Sequence, residues 1–306
     1  MDFPVSTEPV LTVLPRGLAH NGGMLADNRI DKVTPARWTS KYGSIVVSAL
    51  GVGTADGMNE KGLAMHIPYF VPADFGERDP KLKGLLAALW GQNALANAAS
   101  VEEAIALFED IQPLMAEFQG IKATLHLALD DAKGDSAINE YTTGGTKTVY
   151  HNRDYHIMTN DPSYDQQLAY RATFNFENAT RETPIPGNTD GKDRFIRSDY
   201  YRQWLPEPKN TREAIAGILA IARNASVPFG APNRAPGSPY NTEHRVALDL
   251  TNLRYYFEMT NTPRLLWMDL SKFNLNKGAP VLLLSPDDIN LVGDVTKHFK
   301  PGKMHV

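Results

Sequence analysis

No cysteine occurs among the 306 residues. That excludes disulfides, thiolate metal sites and any thiol nucleophile drawn from the residues present. Long hydrophobic runs are missing too. No stretch approaches the ~18 apolar residues of a membrane span, so none is expected. Positive charge is not in excess: 31 Lys and Arg against 35 Asp and Glu leave a net charge of −4. A nucleic-acid or membrane-surface partner, which needs a basic footprint, is therefore not expected. The start, Met1-Asp2-Phe3-Pro4, lacks the basic and apolar regions of a signal peptide. No Gly-x-Ser-x-Gly elbow is present. Neither is a Gly-Lys-Ser/Thr phosphate loop or a His-Glu-x-x-His zinc motif. The eight histidines show no ligand spacing, so no metal is expected. Gly51 to Gly57 is glycine-rich but opens no helix, and it reads as a tight turn.

What remains is an ordinary globular composition, 42% hydrophobic and 22% charged. At this length either one large domain or two small ones fit. Ser44 to Leu50 is a β-branched run, and Gly62 to Ile67 follows a turn placed at Asp56-Gly57. Leu82, Leu85, Leu86, Leu89 and Trp90 form a helical stripe. Ser100-Val101-Glu102-Glu103 starts a second helix as a capping box, closed by Pro113. Strands return at Thr124–Leu129, Ala137–Tyr141, Thr146–Tyr150 and Tyr155–Met158. Helices are expected over Lys192–Trp204 and from Asn210, an N-cap, to about Ala225. Pro228 to Tyr240 reads as a long loop, and His244–Leu250 with Tyr255–Met259 as a hairpin. Runs of strands followed by runs of helices argue for α+β with antiparallel sheets.

Three short runs hold the candidate chemistry: Asn59 to Tyr69, Met158-Thr159-Asn160-Asp161-Pro162 and Asp193-Arg194-Phe195-Ile196-Arg197. Asn160, read as the end of a strand before Asp-Pro, is placed where a side-chain amide serves an oxyanion. Alone it is more simply a turn-starting Asn. Arg197 alone is a snorkelling surface cation, and Tyr69 a core or rim aromatic.

Together with Trp38-Thr39-Ser40-Lys41-Tyr42-Gly43-Ser44, these runs resemble, in order and over nearly the whole chain, the choloylglycine hydrolase family. That family comprises penicillin V acylases and bile salt hydrolases, which cleave linear amide C–N bonds. The resemblance implies a single domain over residues 1–306 with the N-terminal-nucleophile hydrolase fold: a four-layer αββα sandwich with two antiparallel sheets between helix layers. It implies no metal or organic cofactor, a small acyl amide substrate and, as in relatives, a homo-oligomer. It gives Asp2 the role of orienting the nucleophile. The Tyr69 backbone N–H and the Asn160 side chain become the oxyanion donors, and Arg197 the cation that favours the ionised nucleophile. Tyr69 resembles the penicillin V acylases more than the bile salt hydrolases. The wording of the Trp38 and Asn59 runs resembles Gram-negative members, which implies a periplasmic location.

One departure matters. The family's nucleophile is an N-terminal cysteine, one β-hairpin upstream of the Met-Asp segment with which this sequence starts. The expectation is an acylase lacking its first hairpin, with an open sheet edge and no turnover as written. Two alternatives stay open: a relative that binds acylated ligands without cleaving them, or a nucleophile at Ser6 or Thr7. The loops 68–79 and 228–240, with Phe70, Phe75 and Phe229, are expected to shape an apolar acyl pocket.

Overall fold

In the computed structural model of the chain, all residues are described except 4, 5, 26, 27, 30, 32, 116, 119, 233–240, 263 and 304–306. Ser44–Ala49 shows how the architecture is built. Ile45 and Val47 enter one apolar core while Val46 enters another, as the two-residue period of a strand requires. Both faces are covered, which explains why the run reads as continuously apolar. This strand lies inside a nine-stranded sheet. Across the sheet the order is Thr146–His151, Ser136–Thr142, Leu127–Asp131, Leu63–His66, Gly53–Asn59, Ser44–Ala49, Val10–Leu14, Leu282–Leu284 and Lys300–Pro301. Every neighbouring pair is antiparallel. A four-stranded sheet runs His244–Asp249, Arg254–Met259, Leu265–Asp269, Gly293–Asp294. Its last pair is parallel, as is the separate pair of Lys83–Leu86 with Ile111–Leu114; the other strand pairs are antiparallel, as expected.

Four apolar cores are formed by the described residues, and three of them stack these elements. Helices α1 (Trp90–Asn97) and α2 (Val101–Leu107) cover one face of the large sheet through Trp90, Leu95, Val101 and Leu63. Its other face meets the small sheet through Leu11, Ile45 and Met58 against Tyr255, Phe257 and Met268. The far face of the small sheet, Ala247 and Tyr256, packs on Ile215 and Leu219. Those two come from a long amphipathic helix over Thr211–Asn224. The chain is thus α+β, as expected. Ser100 caps α2 by accepting from the Glu103 N–H at 3.2 Å, the capping box read from the sequence.

Several local expectations are corrected. The leucine stripe at 82–90 is not one helix. Lys83–Leu86 is a strand parallel to Ile111–Leu114, a 3₁₀ turn covers Ala87–Leu89, and the α-helix begins only at Trp90. Leu85 and Leu86 are both fully buried, so neighbours on opposite strand faces imitate a helical stripe. Pro113 lies within that partner strand instead of closing α2, which ends at Leu107. Asp56-Gly57 is no turn but the middle of the strand Gly53–Asn59. A Cβ on Gly57 would stand 2.6 Å from the Ile45 carbonyl oxygen, so close approach of the neighbouring strand demands glycine there. Tyr155–Met158 forms no strand, and most of the expected 228–240 loop lies outside the described residues.

Candidate active site

The loop after the large sheet's edge strand is held from behind. Helix α3 (Tyr164–Arg171) presents Gln167, fully buried, to the 159–162 loop. Its Nε2 donates to the carbonyls of Thr159 (3.2 Å), Asn160 (3.2 Å) and Pro162 (2.7 Å). Its Oε1 accepts from the Thr159 N–H at 3.2 Å. The loop then seats on the first turn of helix α4 (Gly191–Gln203), where Asp190 caps by accepting from Asp193 N–H at 3.1 Å. A Cβ on Gly191 would lie 2.2 Å from the Asp161 carbonyl oxygen. Asn160 therefore sits on a braced loop, not at a strand end.

Arg194, one turn into α4, is the hub. Its Nη1 donates to Asp2 Oδ2 at 2.6 Å and its Nη2 to Asn160 Oδ1 at 2.7 Å. Its Nε donates to the Thr189 carbonyl at 3.0 Å. Thr242 Oγ1 donates to the other Asp2 oxygen at 2.5 Å. Burial opposes a charge on Asp2, but Arg194 beside it and these hydrogen bonds hold its carboxyl below the ordinary carboxylate range. Because Asn160 Oδ1 accepts from Arg194, the amide orientation is fixed. Nδ2 points the other way and donates one hydrogen to the Tyr69 carbonyl at 2.7 Å; among the described residues its second hydrogen has no acceptor. Tyr69 faces Leu125 in an antiparallel bridge whose hydrogen bonds come from Phe70 and His126 instead. Among the described residues the Tyr69 N–H has no acceptor. Two unspent N–H donors thus stand side by side.

These groups line one pocket of ≈ 290 Å³ with Asp56, His66, Thr242, His244 and Arg245. The Asp2, Tyr69 and Asn160 of the sequence reading are together in it. Arg197 is not. Its Nη1 donates to the carbonyls of Pro186 (3.1 Å) and Asn188 (2.6 Å), bracing the loop before α4. Arg194, three residues earlier, is the arginine of α4 that lines the pocket. Phe70 and Phe75 are core residues and Phe229 is exposed, so none of the three lines the pocket. Ser6 and Thr7 turn away, both hydrogen-bonded to Glu243 at 2.7 and 2.5 Å.

The sequence reading also missed a polar wall. His66 Nδ1 lies 2.5 Å from Asp56 Oδ2, and Tyr255 donates to Asp56 Oδ1 at 2.6 Å. Burial disfavours a charged His66, but the Asp56 carboxylate outweighs it and raises the imidazole to about 9. A signal existed: His66 and Asp56 are register partners across adjacent strands, yet reading Asp56 as a turn concealed it. Among the described residues no cluster of three or more His, Asp or Glu is disposed to hold a metal ion. No helix among them is long and apolar enough to cross a membrane.

The model of the linear amide C–N hydrolases, choloylglycine hydrolase family, matches residues 1–283. This chain belongs to that family. It is 32% identical to the penicillin V acylase of Pectobacterium atrosepticum, over 99% of this chain and 85% of that protein. The penicillin V acylase structure from Agrobacterium tumefaciens superposes with a TM-score of 0.87 at 34% identity, covering 100% of this chain and 93% of that one. A conjugated bile acid hydrolase from Clostridium perfringens shares the fold, with a TM-score of 0.77 at 21% identity over 94% of this chain and 92% of that one. The family member described here is thus an amide hydrolase by descent, with the α+β fold of these acylases.

Proposed function

We propose that the pocket binds an acyl amide of the penicillin V type and stabilises the tetrahedral intermediate of its hydrolysis. The reaction adds water across the amide C–N bond and yields a carboxylic acid and an amine. The observation that carries this reading is the donor pair. With the substrate carbonyl oxygen between them, Tyr69 N–H and the second Asn160 Nδ2–H meet the developing oxyanion, the largest electrostatic contribution in acyl transfer. Both donors are held beforehand, Asn160 by Arg194 and Gln167, so little reorganisation accompanies the reaction. Asp2, kept ionised by Arg194 and Thr242, orients the attacking group, which the family resemblance makes a cysteine. The 306 residues contain none. On this reading they bind the amide without turning it over, and a chain carrying the cysteine segment ahead of Asp2 turns it over. A non-catalytic acyl-ligand-binding relative is the second reading.

Amine release from penicillin V, an N-acyl homoserine lactone and a conjugated bile salt tests this. No release by the 306-residue chain and release by the cysteine-bearing form support the hydrolase. Release by the 306-residue chain itself refutes the need for a thiol. No release by either form leaves the binding relative standing.

A further inference from the structure

At the pocket wall formed by the small sheet, charge is left over. Arg245 stands opposite Glu258 in the pairing of His244–Asp249 with Arg254–Met259. Its Nη1 donates to Glu258 Oε1 at 3.0 Å and its Nε to Ser226 Oγ at 2.7 Å. Glu258 is also gripped by Arg223, whose Nε donates to Oε1 at 3.2 Å and whose Nη2 donates to Oε2. One carboxylate therefore serves two guanidinium groups, and one positive charge is unmatched. Asp2 lies near enough to favour the Arg245 charge, but its direct partners are Arg194 and Thr242, and Asp56 is paired with His66, so among the described residues Arg245 shares no second carboxylate. Among the described residues Arg245 Nη2 donates to nothing. The side chain is only 12% exposed, so the unmatched charge faces the pocket instead of bulk water. Burial and the neighbouring Arg223 both disfavour it, a cost that an incoming anion relieves. Ser226 and Glu258 already fix the planar fork, so little rotamer entropy remains to be lost on binding.

We propose that Arg245 is a specificity-determining residue that binds a carboxylate carried on the amine half of the substrate. This rests on the acyl-amide reading of the pocket and sharpens it. Glycine-conjugated bile salts bear such a carboxylate one carbon from the scissile amide nitrogen, and penicillin V bears one on the same amine half, across its fused ring system. An N-acyl homoserine lactone bears none. The pocket is thus built for N-acyl amino acids in the broad sense, and uncharged lactone amides are its poor ligands.

Calorimetric titration of the 306-residue protein with phenoxyacetylglycine and with phenoxyacetylglycinamide separates the possibilities, since binding needs no nucleophile. The carboxylate is expected to bind at least tenfold more tightly than the amide. R245Q is expected to abolish that preference and leave glycinamide binding within about twofold, while R245K keeps part of it. R223Q, a change at a half-exposed side chain outside the pocket, removes the unmatched charge and is expected to weaken the preference several-fold. Equal affinities in the unaltered protein, or a preference that survives R245Q, overturn the role of Arg245 while the acyl-amide reading stands. Binding of neither ligand overturns both. If R245Q fails to fold, equal affinities in the unaltered protein still overturn the proposal, and a preference that R223Q leaves unchanged does so as well.

Discussion

Replacing Arg194 with Gln tests the centre of the site. The change removes the partner of a carboxylate whose side chain is only 10% exposed. It also removes hydrogen bonds of 2.6 Å to Asp2 and 2.7 Å to Asn160. Orphaning one member of a buried pair costs about 3–5 kcal/mol. For a chain of this length the unfolding entropy scales to ~0.6 kcal/mol per degree, so the melting temperature should fall by about 5–8 °C at pH 7. The isosteric Asp2→Asn change alone should also destabilise, since it strands the Arg194 charge. The double variant should lose less than the sum, with a coupling of at least ~1.5 kcal/mol. Differential scanning calorimetry of the four proteins provides the cycle. The carboxyl of Asp2 sits below its ordinary value of 3.8 when folded. Its stabilising contribution is therefore present above that value and lost as pH falls through the lower folded one. The gap between the unaltered protein and R194Q should narrow accordingly below about pH 4. A loss under ~1 kcal/mol, or strictly additive single changes, refutes the hub role of Arg194.

Two further outcomes are expected. His66 is raised from 6.5 to about 9 in the folded protein. Its contribution is thus full below pH 6.5, lost between 6.5 and 9, and on the order of 3 kcal/mol at most. Melting curves at pH 6 and pH 9.5 should differ in the unaltered protein and converge in H66Q; equal pH dependence in both contradicts the His66–Asp56 pairing. Gln167→Leu keeps the volume but leaves three loop carbonyls and the Thr159 N–H unsatisfied, at about 1–3 kcal/mol for each group that water does not reach. Urea unfolding should show a loss of more than ~2 kcal/mol, together with weaker ligand binding; an unchanged midpoint rules out the clamp.

Much of the site could be read from the chain because its residues sit in short runs whose neighbours are distinctive. Asn160 before Asp-Pro and Asp2 in Met-Asp-Phe are examples. The choice between Arg194 and Arg197 was not legible. Three residues apart, they project from neighbouring positions on one helix face. Only the placement of the 159–162 loop and of Asp2 decides which one meets the pocket. Arg245, Glu258 and Arg223 were hidden for another reason. Each looks like an ordinary surface charge, and the two-against-one imbalance arises only when a helix packs on the sheet. The strand Gly53–Asn59 was concealed by its composition. Its Gly and Asp are turn formers, but in place they serve close strand approach and a buried hydrogen bond to Tyr255.

The grip of Thr242 on Asp2 spans 240 positions of sequence, and this has a consequence for the order in which the protein is made. At about 5–20 residues per second on the ribosome, roughly 12–48 s separate the synthesis of the two. Throughout that interval the Asp2 carboxylate lacks its Thr242 donor, and the sheet that brings Arg245 to the pocket does not exist. Assembly of the pocket is therefore among the last events for the nascent chain, and a nascent chain that stops short of Thr242 has most of the large sheet but lacks that pocket wall.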